Sequence, residues 1–261
     1  MKKRAYILIF LFIVVVTEFV WDFQPDTIIT VHDWYFDAQV GVSLFIIVMA
    51  VVISRWLHIP YKLGRKGLLR GLAMGWPILL LIAQEAATGA SMYRNNDYRV
   101  MFWLCVLMAI RTGIVEEIYF RGTVQGFLRR IFTGKRYSSA PIILVTASIF
   151  GLSHATGLLF GNSDAQSTVR TALFAFASGI LLGTIYELTG NLLPGIVLHA
   201  LIDVYGINAE VYTRSDLNFL NPYINWGAYG ELYWWIAGMV VLMVIYLSLR
   251  YWRRQRLITV N

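Results

Sequence analysis

The sequence predicts an all-α fold: a polytopic membrane helix bundle of about eight transmembrane helices, with the N- and C-termini cytoplasmic. The first observation is composition, because 58% of the 261 residues are hydrophobic and 14% are charged. An average soluble domain has about 25% charged residues. The second observation is a series of apolar segments near the roughly 20 residues that cross a bilayer. The third is that most Lys and Arg residues lie in every second connection between these segments.

Eight apolar segments are long enough to be membrane spans. They cover residues 5–21, 39–56, 69–88, 100–120, 140–160, 169–188, 191–206 and 229–249. The first follows a basic start, as the core of a signal peptide does, but no small-residue cleavage site follows it, so we expect an uncleaved span. No linker, repeat or low-complexity tract divides the chain. The sequence therefore predicts a single integral membrane domain over residues 1–261.

The distribution of positive charge sets the predicted orientation. Of the 22 Lys and Arg residues, 17 lie before the first span, between the second and third, between the fourth and fifth, or after the last. The positive-inside rule places these regions in the cytoplasm. The net charge of +7 therefore reflects topology and contact with a lipid bilayer, and we expect no nucleic-acid partner. Cys105, the single cysteine, is expected to be a buried and inert thiol.

Ionisable residues inside the predicted spans are the candidates for function, because each costs about 2.5–3.5 kcal/mol at the centre of a span. Three of them, Glu18, Glu85 and Arg111, are interpreted as structural, with Arg111 pairing with either glutamate or capping a helix. The others fall in three short patterns. These patterns are Glu116-Glu117-Ile118-Tyr119-Phe120-Arg121, Phe150-Gly151-Leu152-Ser153-His154 and His199-Ala200-Leu201-Ile202-Asp203.

The first pattern places two carboxylates side by side. Glu117 and Arg121 are four residues apart and are expected to pair on one helical face. Glu116 then points about 100° away from Glu117 and is free to enter a cavity. A carboxylate in such a low-dielectric place suits a general base. The alternative is an interfacial charge cluster at a helix end.

The second and third patterns each place an imidazole in an apolar helix. Phe150 and His154 share one face, and so do His199 and Asp203. Either histidine is consistent with a hydrogen-bonding contact between helices. The His199–Asp203 spacing also suits a metal ligand or a carboxylate-oriented imidazole. Taken together, the three patterns predict one polar cavity that activates water and polarises a carbonyl group.

The same residues resemble a known family. EEIYFRG at 116–122 resembles the EExxxR motif of the CPBP family, which includes the CAAX proteases and bacteriocin-processing enzymes. FGLSH at 150–154 resembles its FxxxH motif, and HALID at 199–203 resembles its HxxxN/D motif. The resemblance covers residues 100–206, the family-like catalytic core.

The resemblance implies an intramembrane endopeptidase that hydrolyses a peptide bond in a peptide or membrane-associated protein. Glu116 and His154 would activate water, and His199 and Asp203 would bind the oxyanion or polarise the carbonyl group. The supporting residues would be Glu117, Arg121 and Phe150. Residue 203 is Asp where the prenyl-protein branch has Asn, and an ionised carboxylate cannot donate a hydrogen bond to an oxyanion. Three alternatives follow: Asp203 is protonated, it orients His199, or the site holds a metal.

The resemblance leaves the cofactor open. The glutamate-and-water account requires none, and the zinc-binding HExxH motif is absent from the sequence. A divalent metal such as zinc is the alternative. Its ligands would be Glu116, His154, His199 and Asp203.

Two further functions remain open at this point. One is a non-catalytic membrane partner, such as a bacteriocin-immunity protein, that uses the same fold to bind a peptide or protein. The other is a proton-coupled transporter with a Glu–His relay. The short loops and basic start favour a bacterial plasma membrane. Gly122 with Gly126, and Gly179 with Gly183, predict close helix packing within or between chains.

Overall fold

The structure is a computed structural model that describes residues 28–31, 34–37, 40–76, 78–79, 93–94, 99–132, 139–156 and 165–214. Its helices are α1 (Val40–Trp56), α2 (Leu68–Met74), α3 (Arg99–Glu116), a π-helix (Glu117–Gln125), α4 (Gly126–Phe132), α5 (Ser139–Ser153), α6 (Ala165–Thr189) and α7 (Leu193–Arg214). A short antiparallel hairpin of β1 (Ile28–Val31) and β2 (Trp34–Asp37) precedes them, with Ile28 opposite Asp37.

The predicted helical bundle is confirmed for the described part of the chain, and the sequence analysis did not predict the hairpin. The predicted spans 39–56, 169–188 and 191–206 correspond to α1, α6 and α7. The predicted spans 5–21 and 229–249, both termini and half of 69–88 lie outside the described residues. The total of eight spans and the cytoplasmic termini therefore stay predictions.

Two predicted boundaries differ from the observed helices. The span predicted at 100–120 continues through the π-helix and α4 to Phe132. The span predicted at 140–160 is helical as α5 only to Ser153, after which His154 lies in a turn. The turn begins where Ser153 Oγ bonds back to the Phe150 carbonyl oxygen at 2.8 Å, a local contact that competes with the helical ladder.

Glycines allow the helices to approach one another closely. A Cβ atom at Gly113 of α3 would lie 2.9 Å from the backbone nitrogen of Ala200 in α7. A Cβ atom at Gly179 of α6 would lie 3.2 Å from the Cα of Ala147 in α5, and one at Gly183 would lie 3.0 Å from Gln125 Oε1. The Gly179 and Gly183 positions therefore pack helices within the chain.

The described bundle exposes many apolar side chains and buries a set of polar ones within its apolar core. Exposed apolar side chains of α1 recur every four residues, at Leu44, Val48, Val52 and Trp56. α3 carries a similar stripe, formed by Val100, Trp103, Leu107 and Ile110. Buried side chains meanwhile include Ser54, Glu117 and Arg121. An apolar face of this extent is typical of contact with lipid or a partner.

One helix in the described part of the chain, Thr171–Thr189, is long and apolar enough to cross a membrane by itself. Three shorter apolar helices accompany it, Gly41–Trp56, Ser139–Ser153 and Leu193–Val204. A helix shorter than the bilayer is accommodated by local thinning or by flanking residues that reach the interface. Apolar helices other than Thr171–Thr189 therefore also contribute to the exterior.

The π-helix lies at the centre of the described bundle. All nine of its residues are buried, and the main apolar core gathers around it, with Val115, Ile118, Phe120 and Val124 packing against residues of α1 and α5. A π-helix is rare and occurs most often at functional sites. Because of this central position, the side chains of the π-helix are held by packing on several sides.

Close packing of α3 on α7 can be tested at Gly113. We expect Gly113→Ala to lower the apparent melting temperature of the detergent-purified protein, because the added methyl group meets backbone atoms that cannot move aside. Overpacking costs about 1–3 kcal/mol, which corresponds to roughly 2–12 °C. The matched control is Gly64→Ala, where no atom lies within 4 Å of the added carbon. Equal melting temperatures for the two variants would contradict the packing.

Candidate active site

The site forms where α3 gives way to the π-helix. Glu116 is the last residue of α3 and Glu117 is the first of the π-helix. Within the wide turn, the Thr123 hydroxyl lies 3.3 Å from the Ile118 carbonyl oxygen and 3.0 Å from Ser54 Oγ of α1. These contacts satisfy polar groups in the π-helix and tie it to α1.

His199 of α7 lies between the two adjacent carboxylates. Its Nδ1 is 2.9 Å from Glu117 Oε1, which is a hydrogen bond. Its Nε2 is 3.3 Å from Glu116 Oε2 in ion-pair contact. A protonated imidazole donates from both ring nitrogens, and here each nitrogen faces a carboxylate oxygen. The structure thus brings His199 and both glutamates together, as the sequence patterns predicted for Glu116.

Glu117 is shared between two cations. The predicted pair with Arg121 is confirmed, with a guanidinium nitrogen 3.0 Å from Glu117 Oε1. The Arg121 side chain is fully buried, and its guanidinium lies over the Phe150 ring, 4.5 Å from the centroid. A Cβ atom at Gly195 would lie 2.6 Å from Glu117 Oε2. Glycine at the start of α7 therefore leaves room for the carboxylate.

Asp203 lies one turn after His199 on α7. Its Oδ1 is 3.9 Å from His199 Nε2, which is an ionic distance but too long for a hydrogen bond. Its side chain is 21% exposed, against 8% for Glu116. Asp203 therefore lies on the more accessible side of the cluster.

His154 joins the cluster through Phe150. The Phe150 ring makes edge-to-face contacts with both imidazoles, at centroid distances of 4.8 Å to His154 and 5.6 Å to His199. His154 Nδ1 is 2.8 Å from the Phe150 carbonyl oxygen. A carbonyl group only accepts hydrogen bonds, so Nδ1 is the donor in this contact. His154 makes no hydrogen bond to Glu116 among the described contacts.

The predicted ligand set does not fit a metal centre. Zinc requires ligand atoms about 2.0–2.3 Å away that converge on one point. His199 instead meets carboxylate oxygens with both nitrogens, and His154 contacts Phe150. In the part of the chain that the structure describes, no three His, Cys, Asp or Glu side chains are arranged to hold a metal ion.

A comparison with known families identifies the core of the chain. The family model described as type II CAAX prenyl endopeptidase Rce1-like matches residues 98–205, which contain all three motifs. Residues 98–205 are therefore similar to the CAAX protease family. This is a family of membrane-embedded proteases. No curated protein and no solved structure matches the sequence.

The CAAX protease core contains polar contacts that the sequence analysis missed. Gln125, buried at the end of the π-helix, donates to the Gly183 carbonyl oxygen at 3.1 Å and to Glu187 Oε1 at 2.9 Å. Glu187 also pairs with Arg129 of α4. The available signal was the four-residue spacing of Glu117, Arg121 and Gln125, which extends the polar series of the first motif.

Arg111 has partners other than the predicted glutamates in the described residues. It donates to Ser43 Oγ of α1 at 3.2 Å and to Thr112 Oγ1 at 3.0 Å. Glu18 and Glu85, its predicted partners, lie outside the described residues. Arg111 therefore connects α3 with α1.

The two members of the buried ion pair, Glu117 and Arg121, should make coupled contributions to the free energy of unfolding. We expect Glu117→Gln and Arg121→Met each to lower the free energy of unfolding by about 3–5 kcal/mol, because each leaves a buried charge poorly compensated. The double variant should lose less than the sum of the two. Thermal denaturation of the purified protein in detergent measures all three. Strictly additive losses would contradict a direct pair.

Proposed function

We propose that this protein is an intramembrane endopeptidase that hydrolyses a peptide bond in a peptide or membrane-associated protein with water activated at Glu116. One observation carries the proposal within the family core. Glu116 Oε2 is buried and has no hydrogen-bond partner among the described residues, although His199 lies 3.3 Å away. A buried carboxylate oxygen without a hydrogen bond costs at least about 1–3 kcal/mol, and a bound water molecule would satisfy it.

The proposed reaction begins with that water molecule. Glu116 removes a proton as the water oxygen attacks the carbonyl carbon of the substrate, and the carbonyl oxygen becomes an oxyanion. The intermediate then collapses as the C–N bond breaks. Glu116 returns the proton to the leaving amine, so the enzyme ends in its starting state.

His199 is suited to stabilise the oxyanion. Its Nδ1 is fixed by Glu117, which is in turn fixed by Arg121. The ring orientation is therefore set before substrate binds, and Nε2–H is directed towards the cluster around Glu116. A donor held in advance costs no reorganisation when the charge develops, and removal of such a donor typically lowers kcat about 10²–10³-fold.

Asp203 would act on His199 and not on the oxyanion itself. An ionised carboxylate has no proton to donate, and Asp203 Oδ1 lies 3.9 Å from His199 Nε2. At that distance its charge favours the imidazolium ion. The partial exposure of Asp203 is consistent with a position near the substrate entrance.

His154 is the second candidate to contact the attacking water. In the neutral ring its Nε2 carries a lone pair, because Nδ1 donates to the Phe150 carbonyl oxygen. The ring is half-buried, so substrate or water would complete its contacts. Every step uses groups of the chain itself, and none requires a metal ion.

We further propose that the protein is a multi-pass protein of a bacterial plasma membrane. The substrates favoured in that setting are small peptides, such as bacteriocin or signalling precursors, or membrane-bound segments. The apolar stripes of α1 and α3 and the family's membrane location support the membrane setting.

Loss of the base should abolish proteolysis. We expect cells that express Glu116→Gln to lack the secreted and membrane-associated peptides produced by the wild type, because an amide cannot accept the proton of water. Mass spectrometry of the two peptide pools, at matched membrane levels of protein, measures this. The ends of the peptides would identify the bond that is cleaved.

Glu187→Gln is the matched control for that experiment. It makes the same chemical change at a carboxylate that is 8% exposed and that pairs with Arg129 and Gln125. We expect it to leave the peptide pool unchanged. If the wild type and Glu116→Gln gave the same peptides and the same phenotype, the protease function would be rejected in favour of a binding partner.

The role of Asp203 predicts a milder effect. On a peptide identified in that comparison, Asp203→Asn should lower kcat by less than about tenfold, whereas Glu116→Gln should lower it by about 10²–10⁴-fold. The reason is that Asp203 acts through His199, whereas Glu116 accepts the proton of water and returns it to the leaving amine. A loss of equal size in both variants would place Asp203 in direct contact with the reacting atoms.

A further inference from the structure

The segment between α1 and α2 turns its backbone inwards. The Lys62 carbonyl oxygen accepts a hydrogen bond from the Leu192 backbone nitrogen at 2.9 Å. The side-chain amide of Asn191 donates to the carbonyl oxygens of Gly64 and Lys66, at 2.6 Å and 2.9 Å. Three backbone carbonyl groups of the segment thus accept hydrogen bonds from the turn between α6 and α7.

The same segment is fixed to two other elements. The Arg130 guanidinium of α4 donates to the Leu57 carbonyl oxygen. The backbone nitrogen of Ile59 bonds to the Ser54 carbonyl oxygen at 2.8 Å. A Cβ atom at Gly126 would lie 2.4 Å from Ile59 Cγ2, so the segment packs directly on the start of α4. Its shape is therefore set by the protein before any ligand binds.

Three side chains of this segment are exposed and positively charged. Lys62, Arg65 and Lys66 are all exposed, and we call these three residues the basic ledge. Further exposed cations lie on the elements that hold the segment, namely Arg55, Arg70, Arg129 and Arg130. Glu187, the carboxylate in contact with this group, is paired with Arg129. The ledge therefore keeps its positive charge.

Exposed apolar side chains lie next to the ledge in the chain. Leu63 is 56% exposed and Leu69 is 81% exposed. Trp56, which ends the apolar stripe of α1, is 53% exposed. An apolar stripe that ends in an aromatic ring and is followed by cations reproduces the order of a bilayer, from hydrocarbon to interface to headgroup.

We propose that the basic ledge is a preformed binding surface for the headgroups of anionic phospholipids. Cations near a charged membrane surface attract acidic lipids, and the attraction falls off within a Debye length. The inward carbonyl groups keep negative dipoles away from the phosphate. An acidic peptide would match the charge, but the exposed Leu63, Leu69 and Trp56 favour a lipid layer. The proposal does not depend on the proposed protease function.

The test uses the full chain purified in detergent and titrated with phosphatidylglycerol or phosphatidylcholine, with bound lipid counted by native mass spectrometry. We expect the wild type to prefer phosphatidylglycerol. Lys62→Gln with Lys66→Gln should weaken that binding roughly 10- to 30-fold, at about fivefold for each cation removed. Both side chains are exposed and their backbone contacts are unchanged by the substitution.

The matched control removes two exposed cations near the start of α3, with Arg94→Gln and Arg99→Gln. We expect these to change phosphatidylglycerol binding by less than about twofold. The proposal would be overturned by equal binding of the two lipids to the wild type, or by equal losses in the two double variants. Displacement of phosphatidylglycerol by an equal concentration of poly-glutamate or inorganic phosphate would also overturn it, and would assign the ledge to an acidic protein or to free phosphate.

Discussion

The contact on which the site depends is that of His199 with Glu116 and Glu117. It joins α7 to the junction of α3 and the π-helix, and Arg121 balances its charge. Carboxylates and cationic side chains in a bundle with an apolar exterior are costly unless they are paired. The positions of Gly195, Phe150 and Asp203 follow from this requirement, because each leaves room for, covers or extends the charged cluster.

The sequence predicts the members of the cluster better than their arrangement. The three motifs identify Glu116, His199 and Asp203 from the cost of placing charges in apolar helices. On a regular α-helix, however, neighbouring residues point about 100° apart, which led to the expectation that Glu116 would be separate from the Glu117 pair. The change from α3 to the π-helix lets both carboxylates face one imidazole. Helical periodicity alone contains no sign of that change.

The sequence also did not predict contacts between segments that are far apart along the chain. Asn191 lies outside the three motifs, but its amide donates to a segment more than 120 residues earlier. The span predicted at 140–160 contains His154, yet α5 ends one residue before it, and the His154 ring contacts Phe150. The ends of helices depend on local side-chain bonds such as that of Ser153, which the apolar pattern of the span does not reveal.

The contact between His199 and Glu116 also bears on the proposed reaction. In the free protein His199 Nε2 lies 3.3 Å from Glu116 Oε2. In the proposed reaction, the carbonyl oxygen of the substrate takes over His199 Nε2–H as negative charge develops on it. Glu116 then loses part of its compensating contact at the moment when it must accept a proton. In this proposal the hydrogen bond from His199 to the substrate oxygen is stronger in the transition state than in the enzyme–substrate complex, which is the condition for a higher kcat and not merely tighter binding.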